Sequence, residues 1–560
     1  MADSMVKAFA RQGRALQAKG RPLDDGALAE VEALLAGMPK SRDLLIEMLH
    51  AVQDRFGALH ARHLKALAEW LSLSEAEIFE VASFYHHFDI VKEGEAAPAP
   101  LTIRVCDSVS CMMAGGEALR ARLAGLVDPA RVRIVPAPCI GACAEAPAAL
   151  VGRRLVGRAD AETLAALAAG PMPEPLRPAY EDFAAARANG RYALLEAGLS
   201  GQISRDQAIA TLSDAGLRGL GGAGFPAGRK WAVVRSQPGP RLMTINGDEG
   251  EPGTFKDRLL LEATPHALLE GALIAAWAVE AEAIYLYMRD EYPAVLAILA
   301  AEIAALAASG LPGLVPIHLR RGAGAYICGE ESAMIESLEG KRGLPRHRPP
   351  FIAERGLFGR PTLNHNVETL AWVPEILARG AEWFAGQGVR GAKGLRRFSV
   401  SGRVREPGMR LMPAGSTARE LIEACGGMAE GHVFRGYLPG GASGGMLPAS
   451  LGDLPLDFGR LDEVGCFVGS HAVVIFSDRD DPKAIARNLL AFFTHESCGQ
   501  CTPCRLGTEK MTALLDRPSP DRALIADLDQ VMRDGSICGL GQAAPNPVRS
   551  LLRFFPEALS

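Results

Sequence analysis

The sequence Ser497-Cys-Gly-Gln-Cys-Thr-Pro-Cys-Arg505 contains three cysteines separated by two residues each, and Cys538 follows in Ser-Ile-Cys-Gly-Leu-Gly-Gln. Two-residue gaps bring three thiolates to the faces of one small inorganic core, which a distant fourth thiolate closes. The spacing therefore predicts a [4Fe–4S] site held by Cys498, Cys501, Cys504 and Cys538 among C-terminal helices. Zinc also accepts four cysteines, but its usual sites pair two CxxC knuckles. Buried structural cysteines would not require three thiols so close together, with Gly and Pro between them.

A second set of four cysteines lies nearer the N-terminus. Cys106 and Cys111 stand in Val-Cys-Asp-Ser-Val-Ser-Cys, and Cys139 and Cys143 in Pro-Cys-Ile-Gly-Ala-Cys. A C-x4-C pair followed by a distant pair is typical of a [2Fe–2S] site in which each iron takes two thiolates. The apolar run that begins at Val132 predicts a strand ending just before Cys139. Disulfide pairs are the weaker alternative, because nothing else in the sequence is typical of a secreted protein.

The three remaining cysteines, Cys328, Cys425 and Cys466, are expected to be ordinary buried thiols. This cysteine usage favours a reducing compartment, and we expect a cytoplasmic protein. The first 21 residues are basic but lack an apolar segment and a small-residue cleavage site. Charge alone leaves a mitochondrial presequence open; we expect a flexible arm that packs on a partner subunit.

Composition excludes several classes of protein. The chain has 560 residues, of which 48% are hydrophobic and 22% charged, so it can hold several cores. A net charge of −5 and a pI of about 6.2 are not typical of nucleic-acid binding. No apolar run approaches the ~18 residues that a membrane span needs. His60, His63, His86 and His87 have no acidic or thiol partner at ligand spacing nearby, so the sequence does not favour a histidine metal site.

Three loops in the middle of the chain carry the chemistry. Residues 219–231 hold five glycines within ten residues, which let backbone N–H groups approach a phosphate or a planar ring. Such a loop alone is weak evidence. The second loop, Asn246-Gly-Asp-Glu-Gly-Glu-Pro-Gly-Thr-Phe-Lys-Asp-Arg258, crowds three carboxylates that suit the hydrogen-bond donors of a ribityl chain, a ribose or a carboxamide. The third, residues 322–333, adds Tyr326, Glu330 and Glu331.

Together with Pro349-Pro-Phe, residues 359–369 and the C-terminal cysteines, these loops resemble the flavin-binding, NADH-oxidising subunit of respiratory complex I. The first 170 residues resemble the thioredoxin-like [2Fe–2S] subunit of that complex, here fused in front. The fusion is similar to the diaphorase (β) subunit of soluble NAD-dependent formate dehydrogenases, in residues 216–231 and 532–542, and more loosely to that of NAD-reducing hydrogenases.

The resemblance implies a multidomain α/β fold with six segments. These are an N-terminal arm (1–39), a helical segment with a thioredoxin-like [2Fe–2S] domain (40–169), a Pro-rich linker (170–180), a Rossmann-like FMN and NADH domain (181–395), a small β-grasp-like domain (396–477) and a helical bundle with the [4Fe–4S] site (478–560).

The resemblance also implies ligand residues. FMN would be bound by Gly219, Gly221, Lys230, Asn246, Asp248, Glu249, Gly329, Glu330 and Asn366. The nicotinamide nucleotide, NAD(H), would be bound by Phe225, Lys230, Glu251, Tyr326, Glu331 and Phe351. Two positions depart from the complex I pattern: His365 replaces an Asn of the phosphate loop, and Arg348 replaces a Lys before Pro-Pro-Phe, which keeps the charge but changes its geometry.

The function implied is exchange of a hydride between NAD(H) and FMN and of single electrons with the clusters, without an acid–base catalytic residue. The expected partner is a formate-oxidising α subunit with a molybdenum or tungsten pterin and further iron–sulfur clusters, with no nucleic acid and no membrane insertion. The alternatives are the diaphorase subunit of an NAD-reducing hydrogenase, a complex I-type module, a standalone NADH:acceptor reductase and a non-catalytic electron-transfer module. The intact acidic loop argues against the last.

Overall fold

A computed structural model describes residues 21–559 of the chain. Its N-terminal part contains four helices: α1 (Asp25–Leu35), α2 (Leu45–Phe56), α3 (Ala61–Leu71) and α4 (Glu75–Phe84). Two short strands, β1 (Leu59–His60) and β2 (Ile90–Val91), pair in parallel beside them.

Helix α1 lies inside the segment 1–39 that the sequence assigns to an arm. Residues 1–20, which hold most of its basic charge, lie outside the described residues. Ala27, Val31 and Leu35 repeat every four residues, so they form one helix face, and all three are fully buried. Glu30 on the same helix lies 2.8 Å from Nε2 of His63 on α3. The packed helical part therefore starts near Asp25 rather than at residue 40.

The next part is the thioredoxin-like domain. It contains β3 (Leu101–Cys106), α5 (Val109–Met113), α6 (Gly116–Ala124), β4 (Val132–Ala137), β5 (Ala149–Val151), β6 (Arg154–Val156) and α7 (Ala161–Ala169). The sheet order is β4-β3-β5-β6, with β3 parallel to β4 and the other pairs antiparallel. The predicted strand at Val132 is present. Cysteines follow both parallel strands at the same edge of the sheet.

The segment 170–182 joins this domain to the next and contains neither helix nor strand. Its prolines, Pro171, Pro173, Pro175 and Pro178, restrict the backbone and keep it extended. Met172 and Leu176 in this segment are more than half exposed, at 59% and 69%. The segment is therefore a tether that crosses the surface.

A four-stranded parallel sheet forms the centre of the molecule. Its strands are β7 (Arg241–Gly247), β8 (Ala281–Met288), β9 (Ile317–Arg321) and β10 (Thr362–Asn366), in the order β10-β7-β8-β9. The helices are α8 (Phe183–Ala188), α9 (Ala193–Leu199), α10 (Arg205–Ala215), α11 (Ala227–Ser236), α12 (Lys256–Ala263), α13 (Pro265–Val279), α14 (Pro293–Ala308), α15 (Glu331–Leu338), α16 (Ile352–Arg355), α17 (Val367–Ala371), α18 (Val373–Arg379) and α19 (Ala381–Ala385). This doubly covered parallel sheet confirms the predicted α/β class.

Helices α13 and α14 are strongly apolar. No single helix among the described residues is long and apolar enough to cross a membrane. Taken together, α12 and α13 have the length and composition of a membrane span, but the pair bends by 99° at Thr264. Almost every side chain of α13 is buried in the core, which accounts for its apolar composition.

A third, mainly antiparallel sheet follows. It contains β11 (Leu395–Gly402), β12 (Gly408–Pro413), β13 (Phe434–Leu438), β14 (Leu447–Pro448) and β15 (Ala472–Ser477), in the order β12-β11-β15-β13-β14, with helix α20 (Ala418–Ala424). The C-terminal part is helical: α21 (Pro482–His495), α22 (Thr502–Leu515), α23 (Arg522–Gly535), α24 (Gly539–Ala543) and α25 (Asn546–Phe554). Both parts agree with the predicted fold class.

Candidate flavin, nucleotide and iron–sulfur sites

A cavity of ≈ 330 Å³ lies at the carboxyl ends of β7 and β10. Ligands of open parallel sheets bind at this edge, where loops leave the strands. Asn246 and Asn366 are paired in the β7–β10 register, and both line the cavity. Nine of the predicted ligand residues line it: Gly221, Asn246, Asp248, Glu249, Glu251, Tyr326, Gly329, Glu330 and Asn366. The fold therefore brings the three loops and β10 together at one place.

The other predicted ligand residues lie outside the cavity lining. Gly219 closes its own loop, with its N–H donating to Phe225 O at 2.8 Å. Lys230 Nζ donates to Asn364 O at 3.1 Å and lies 3.5 Å from Glu331 Oε2. The rings of Phe225 and Phe351 are 43% and 52% exposed. Exposed aromatic rings are available to stack on a planar ligand, but neither of these two lines the cavity.

The glycine-rich loop approaches β10 so closely that a side chain at Gly221 would crowd Asn366. A Cβ at Gly221 would lie 3.0 Å from Cβ of Asn366. Gly222 has φ +137°, a conformation that only glycine adopts readily. Leu220 N–H donates to the Thr369 hydroxyl at 2.8 Å and fixes the loop against α17. The loop thus presents bare backbone to the cavity, which suits a planar ring or a phosphate.

Asp248 offers a free acceptor inside the site. Its Oδ2 atom is buried and has no hydrogen-bond partner in the protein. Burial raises the pKa of Asp248 well above its usual value. A buried carboxyl oxygen without a partner is costly unless a ligand supplies one. Asp248 therefore fits a hydroxyl or N–H donor of a bound cofactor.

Glu249, which also lines the cavity, is bonded within the protein. Its two carboxylate oxygens accept from Asp257 N–H at 2.8 Å and Arg258 N–H at 3.1 Å, which caps α12, and the Tyr292 hydroxyl donates to Oε2 at 3.0 Å. Burial, and then the charge of Asp257, raises the pKa of Glu249 to about 7. The carboxylate lines the cavity, but both of its oxygens already have partners.

Glu251 joins the acidic loop to the third sheet domain. Its Oε1 accepts from the backbone N–H of Ser443 at 2.7 Å and from the Ser443 hydroxyl, and its Oε2 accepts from the Tyr326 hydroxyl at 3.3 Å. Asn546 donates to Ser443 O at 2.8 Å, which extends the contact to the C-terminal helices. Burial raises the pKa of Glu251. Three domains therefore hold one carboxylate at the cavity wall.

Lys256 is a lining residue that sequence reasoning missed, although it stands in the quoted acidic loop. The side chain is 1% exposed, lines the cavity, and lies 2.8 Å from Asp257 Oδ1 and 3.2 Å from Glu368 Oε2. Burial lowers the pKa of Lys256, but Asp257 and Glu368 raise it by more, so the ammonium group keeps its charge. Nothing in the sequence distinguishes this buried lysine from a surface one. The missed lining residues Ser443, Phe467, Gly469 and Ser470 come from the third sheet domain, where glycines at 440–445 were the one signal.

Glu330 and Arg348 form a cluster at the rim. Glu330 Oε2 accepts from Ser332 N–H at 3.0 Å and Ala333 N–H at 2.9 Å, so it caps α15. Arg348 contacts Glu330 and lies 3.1 Å from Glu331 Oε1. The arginine that replaces a lysine here thus bridges two predicted ligand residues.

His365 does not face the cavity. Its Nε2 atom accepts from the Trp231 indole N–H at 2.8 Å. Burial, and then the charge of Lys230, lowers the pKa of His365 well below its usual value, so the ring is neutral. The side chain therefore fixes α11 against β10, and phosphate contact by this side chain is not supported.

The four N-terminal cysteines converge in a buried site. Cys106 ends β3, Cys111 lies in α5, and the sulfur atoms of Cys139 and Cys143 are 3.3 Å apart. Hydrogen bonds with Cys111 and then Cys139 raise the pKa of Cys106, whereas those from Cys106 and Cys143 lower the pKa of Cys139. All eleven cysteines lie in the described residues, and each is a free thiol, so the disulfide alternative is wrong. Four adjoining thiols fit a [2Fe–2S] cluster.

The four C-terminal cysteines converge at helix ends. Cys501 directly precedes α22, Cys504 lies in its first turn, and Cys538 directly precedes α24. Burial raises the pKa of Cys504 to about 11 and that of Cys538 to about 12, although hydrogen bonds from Ser497 and from the backbone of Leu540 and Gly541 act in the other direction. The positive end of a helix dipole favours thiolates at such positions. The arrangement fits four ligands of one cluster.

The cavity adjoins both cysteine sites. Gly539 and Leu540, next to Cys538, line part of its wall. Phe255, which lies between the lining residues Thr254 and Lys256, packs on Cys139 and Cys143. The N–H of Gly253 donates to the Cys143 sulfur. A ligand in this cavity would therefore lie near both cysteine sites.

Four family descriptions match the sequence. They are "Thioredoxin-like [2Fe-2S] ferredoxin" over residues 31–170, "Nuo51 FMN-binding domain" over 212–375, "SLBB domain" over 397–447 and "NADH-ubiquinone oxidoreductase-F iron-sulfur binding region" over 484–560. They confirm the predicted fold class and the predicted FMN, [2Fe–2S] and [4Fe–4S] cofactors.

Among curated relatives, an NADH-quinone oxidoreductase subunit of Rhizobium meliloti is 40% identical over 384 residues, which cover 66% of this chain and 91% of the relative. The corresponding NADH-quinone oxidoreductase subunit of Rhodobacter capsulatus is 42% identical over 375 residues, covering 63% and 87%. Among solved structures, a chain of an NAD+-reducing [NiFe]-hydrogenase in the H2-reduced state is 35% identical, covers 93% of both chains and superposes with a TM-score of 0.83.

The NADH-quinone oxidoreductase relatives match about two thirds of this chain while covering most of their own length, so the remaining third is additional to them. The hydrogenase chain matches nearly throughout. The chain therefore belongs to the family of flavin- and iron–sulfur-binding NADH-quinone oxidoreductase subunits, in a form that also carries a thioredoxin-like [2Fe–2S] domain.

Proposed function

We propose that this chain is the diaphorase subunit of a soluble NAD-dependent formate dehydrogenase. It would exchange a hydride between NAD(H) and FMN and single electrons with its two clusters, and a partner subunit would oxidise formate. One observation supports the diaphorase activity above all others. The cavity is lined by the glycine-rich and acidic loops and adjoins both four-cysteine sites.

Different residues of the cavity would bind different parts of the flavin cofactor. The bare backbone at Gly221 would lie against the flavin ring, and Asp248 Oδ2 would accept from a ribityl hydroxyl or a ring N–H. The charge of Lys256 would stabilise negative charge that develops on the ligand. When bound, FMN supplies the ability to take an electron pair from a nicotinamide and release electrons singly.

The nicotinamide nucleotide would enter from the open side. The exposed rings of Phe225 and Phe351 would stack on its planar groups. Lys230 and Glu331, which already contact each other, would bind phosphate and ribose. Glu251, held by Ser443 and Tyr326, would accept from an amide or hydroxyl and align the reacting carbon. Glu251 therefore acts by positioning rather than by proton transfer.

The partner is assigned from two stretches of the sequence. Residues 216–231 and 532–542 are similar to formate dehydrogenase β subunits, which supports a formate-oxidising partner. A hydrogenase partner is the second candidate, because the hydrogenase chain matches 93% of this one. The eight cluster thiols favour a reducing compartment, and we propose a cytoplasmic complex.

Anaerobic co-purification of the native complex followed by metal analysis tests the partner. Molybdenum or tungsten with formate-dependent NAD+ reduction supports a formate partner, and nickel with H2-dependent reduction supports a hydrogenase. If the chain purifies without a partner and by itself transfers electrons from NADH to its physiological acceptor at the full rate, both partner assignments are contradicted. NADH-to-dye activity and FMN content, measured on the same sample, report on the diaphorase activity independently of the partner.

A further inference from the structure

Two histidines from opposite ends of the chain meet next to a buried carboxylate. His86 follows α4, and His495 is the last residue of α21. Their rings stack with centroids 4.3 Å apart and planes 27° apart. One ligand atom from each of His86, His495 and Glu496 lies within 4.8 Å of the other two. The sequence disfavoured a metal at His86 because no partner stood nearby, but the fold supplies two.

We propose that His86, His495 and Glu496 bind a divalent transition metal ion of the zinc class, separate from both iron–sulfur sites. Two imidazole nitrogens and one carboxylate oxygen are a ligand set that Zn²⁺ and Cu²⁺ accept, with a further position for water. A tetrahedral ion with bonds of ~2.0 Å places its ligand atoms ~3.3 Å apart. Both imidazoles are exposed, so their side chains can rotate to close the site.

Glu496 is already held in place for this role. The side chain is 4% exposed, and Oε2 accepts from the backbone N–H of Tyr326 at 2.9 Å. A ligating carboxylate that also accepts a hydrogen bond is oriented by it, as in many metal sites. A carboxylate this buried gains from a cation beside it.

The backbone around His86 is fixed as well. Its N–H donates to Gly324 O at 3.3 Å, and the next residue, His87, lies 2.7 Å from Asp290 Oδ2 through Nδ1. His87 is therefore occupied by another carboxylate and leaves His86 as the ligand. A bound ion would link the N-terminal helices to the C-terminal helices across the flavin domain.

Zinc titration of the full-length protein, loaded with FMN and both clusters and freed of loose metal by a chelator, tests the site. We expect one Zn²⁺ per chain in calorimetry. His86→Ala and His495→Ala should each weaken this binding at least about tenfold. His318→Ala is the matched control, because His318 is also exposed and its ring lies against that of Tyr285, with centroids 4.7 Å apart. Flavin and cluster absorbance should stay unchanged throughout.

Electron paramagnetic resonance of bound Cu²⁺ identifies the ligands. With both clusters oxidised and therefore diamagnetic, the wild-type spectrum should show coupling to two imidazole nitrogens, and each alanine variant should show one. Binding that is equal in the wild type and both variants would overturn the proposal. So would metal uptake that occurs only as cluster absorbance is lost, because the thiols would then be the ligands.

Discussion

Three carboxylates of one loop, Asp248, Glu249 and Glu251, occupy three different environments. Asp248 keeps a buried oxygen without a protein partner, Glu249 caps α12, and Glu251 is held by Ser443 and Tyr326. Crowded carboxylates would repel one another if each were ionised without partners. Asp248 is thus available to a ligand, Glu249 stabilises the start of α12, and Glu251 is oriented at the cavity wall. A single loop therefore serves both folding and binding.

Glu251→Gln should weaken nucleotide binding by ~1–3 kcal/mol, because an anionic acceptor becomes an amide. FMN content should stay near normal. Ser443→Ala removes one of the donors to Glu251 and should reproduce part of the loss. Equilibrium binding of NADH, with flavin content measured in parallel, checks both variants. Lost flavin with unchanged nucleotide binding would instead place Glu251 against FMN, and a pH–rate profile that loses one limb would indicate acid–base catalysis.

The raised pKa of Glu249, about 7, should appear in the pH dependence of stability. Between its ordinary value of 4.5 and about 7, the folded protein binds more protons at this group than the unfolded chain. The contribution of Glu249 to the free energy of unfolding therefore falls as pH rises through that window. Glu249→Gln should make the Tm less dependent on pH across this window than in the wild type, at saturating FMN. Parallel Tm profiles would contradict the raised pKa.

Among the helices, α24 approaches the C-terminal cysteines more closely than a side chain would allow. A Cβ at Gly541 would lie 2.8 Å from Cβ of Cys504 and 2.5 Å from Oγ of Ser536. A Cβ at Gly539 would meet nothing within 4 Å. Both glycines belong to the Gly-Leu-Gly run after Cys538, and only one of them is required by packing.

Gly541→Ala should therefore lower stability by ~1–3 kcal/mol, since it overpacks a closed site. It should also broaden or diminish the [4Fe–4S] signal in electron paramagnetic resonance of the reduced protein. Gly539→Ala is the matched control and should change neither quantity appreciably. Equal losses in the two variants would show that helix propensity or cavity lining, rather than contact with Cys504, determines the effect.

Electrons should pass between the flavin and the partner at the start of α22, because Cys501 and Cys504 lie there and Cys501 is partly exposed. Cys501→Ala should keep NADH-to-dye activity, if FMN is retained, and abolish partner-linked NAD+ reduction. Steady-state rates with dye and with the partner's substrate measure the two activities. Unchanged partner-linked turnover would exclude this cluster from the main path.

Much of this local structure follows from the sequence. The runs at Leu242, Ala283 and Val132 become strands because apolar β-branched residues bounded by turns have few other stable arrangements. Cysteine spacing likewise predicts both clusters, because the spacing of the ligands can be read within short stretches of the sequence. Lys256 and the meeting of His86 with His495 depend on which elements pack together, and one sequence carries no signal for that. The resemblance assigns Glu249 to FMN; its oxygens also cap a helix, a use for which loop composition carries no signal.

In the whole molecule, the N-terminal part packs closely on the flavin domain rather than standing apart behind its linker. Arg289 donates to Cys139 O at 2.7 Å, and Arg258 donates to Gly141 O at 3.0 Å. Both arginines are nearly fully buried. No pattern in the sequence predicts that the N-terminal cysteines adjoin the flavin cavity, yet Phe255, which lies between two lining residues, packs on Cys139 and Cys143.

We nevertheless expect the [2Fe–2S] cluster to be secondary in turnover, as a reservoir or tuning element. Cys111→Ser removes a ligand without touching the contacts of Cys139 and Cys143. It should reduce partner-linked NAD+ reduction less than Cys501→Ala does, with FMN content unchanged. Loss of all formate-linked NAD+ reduction in a stable Cys111→Ser complex would place the cluster on the main path.

The proline-rich tether at residues 170–182 keeps the two cysteine sites in one polypeptide chain. A domain held by a short linker experiences an effective concentration in the millimolar range, independent of how much protein is made. The NADH-quinone oxidoreductase relatives match about two thirds of this chain, so their similarity does not extend over its whole length. Here, ribosomal synthesis fixes a one-to-one ratio of the two centres, and dilution during purification cannot separate them.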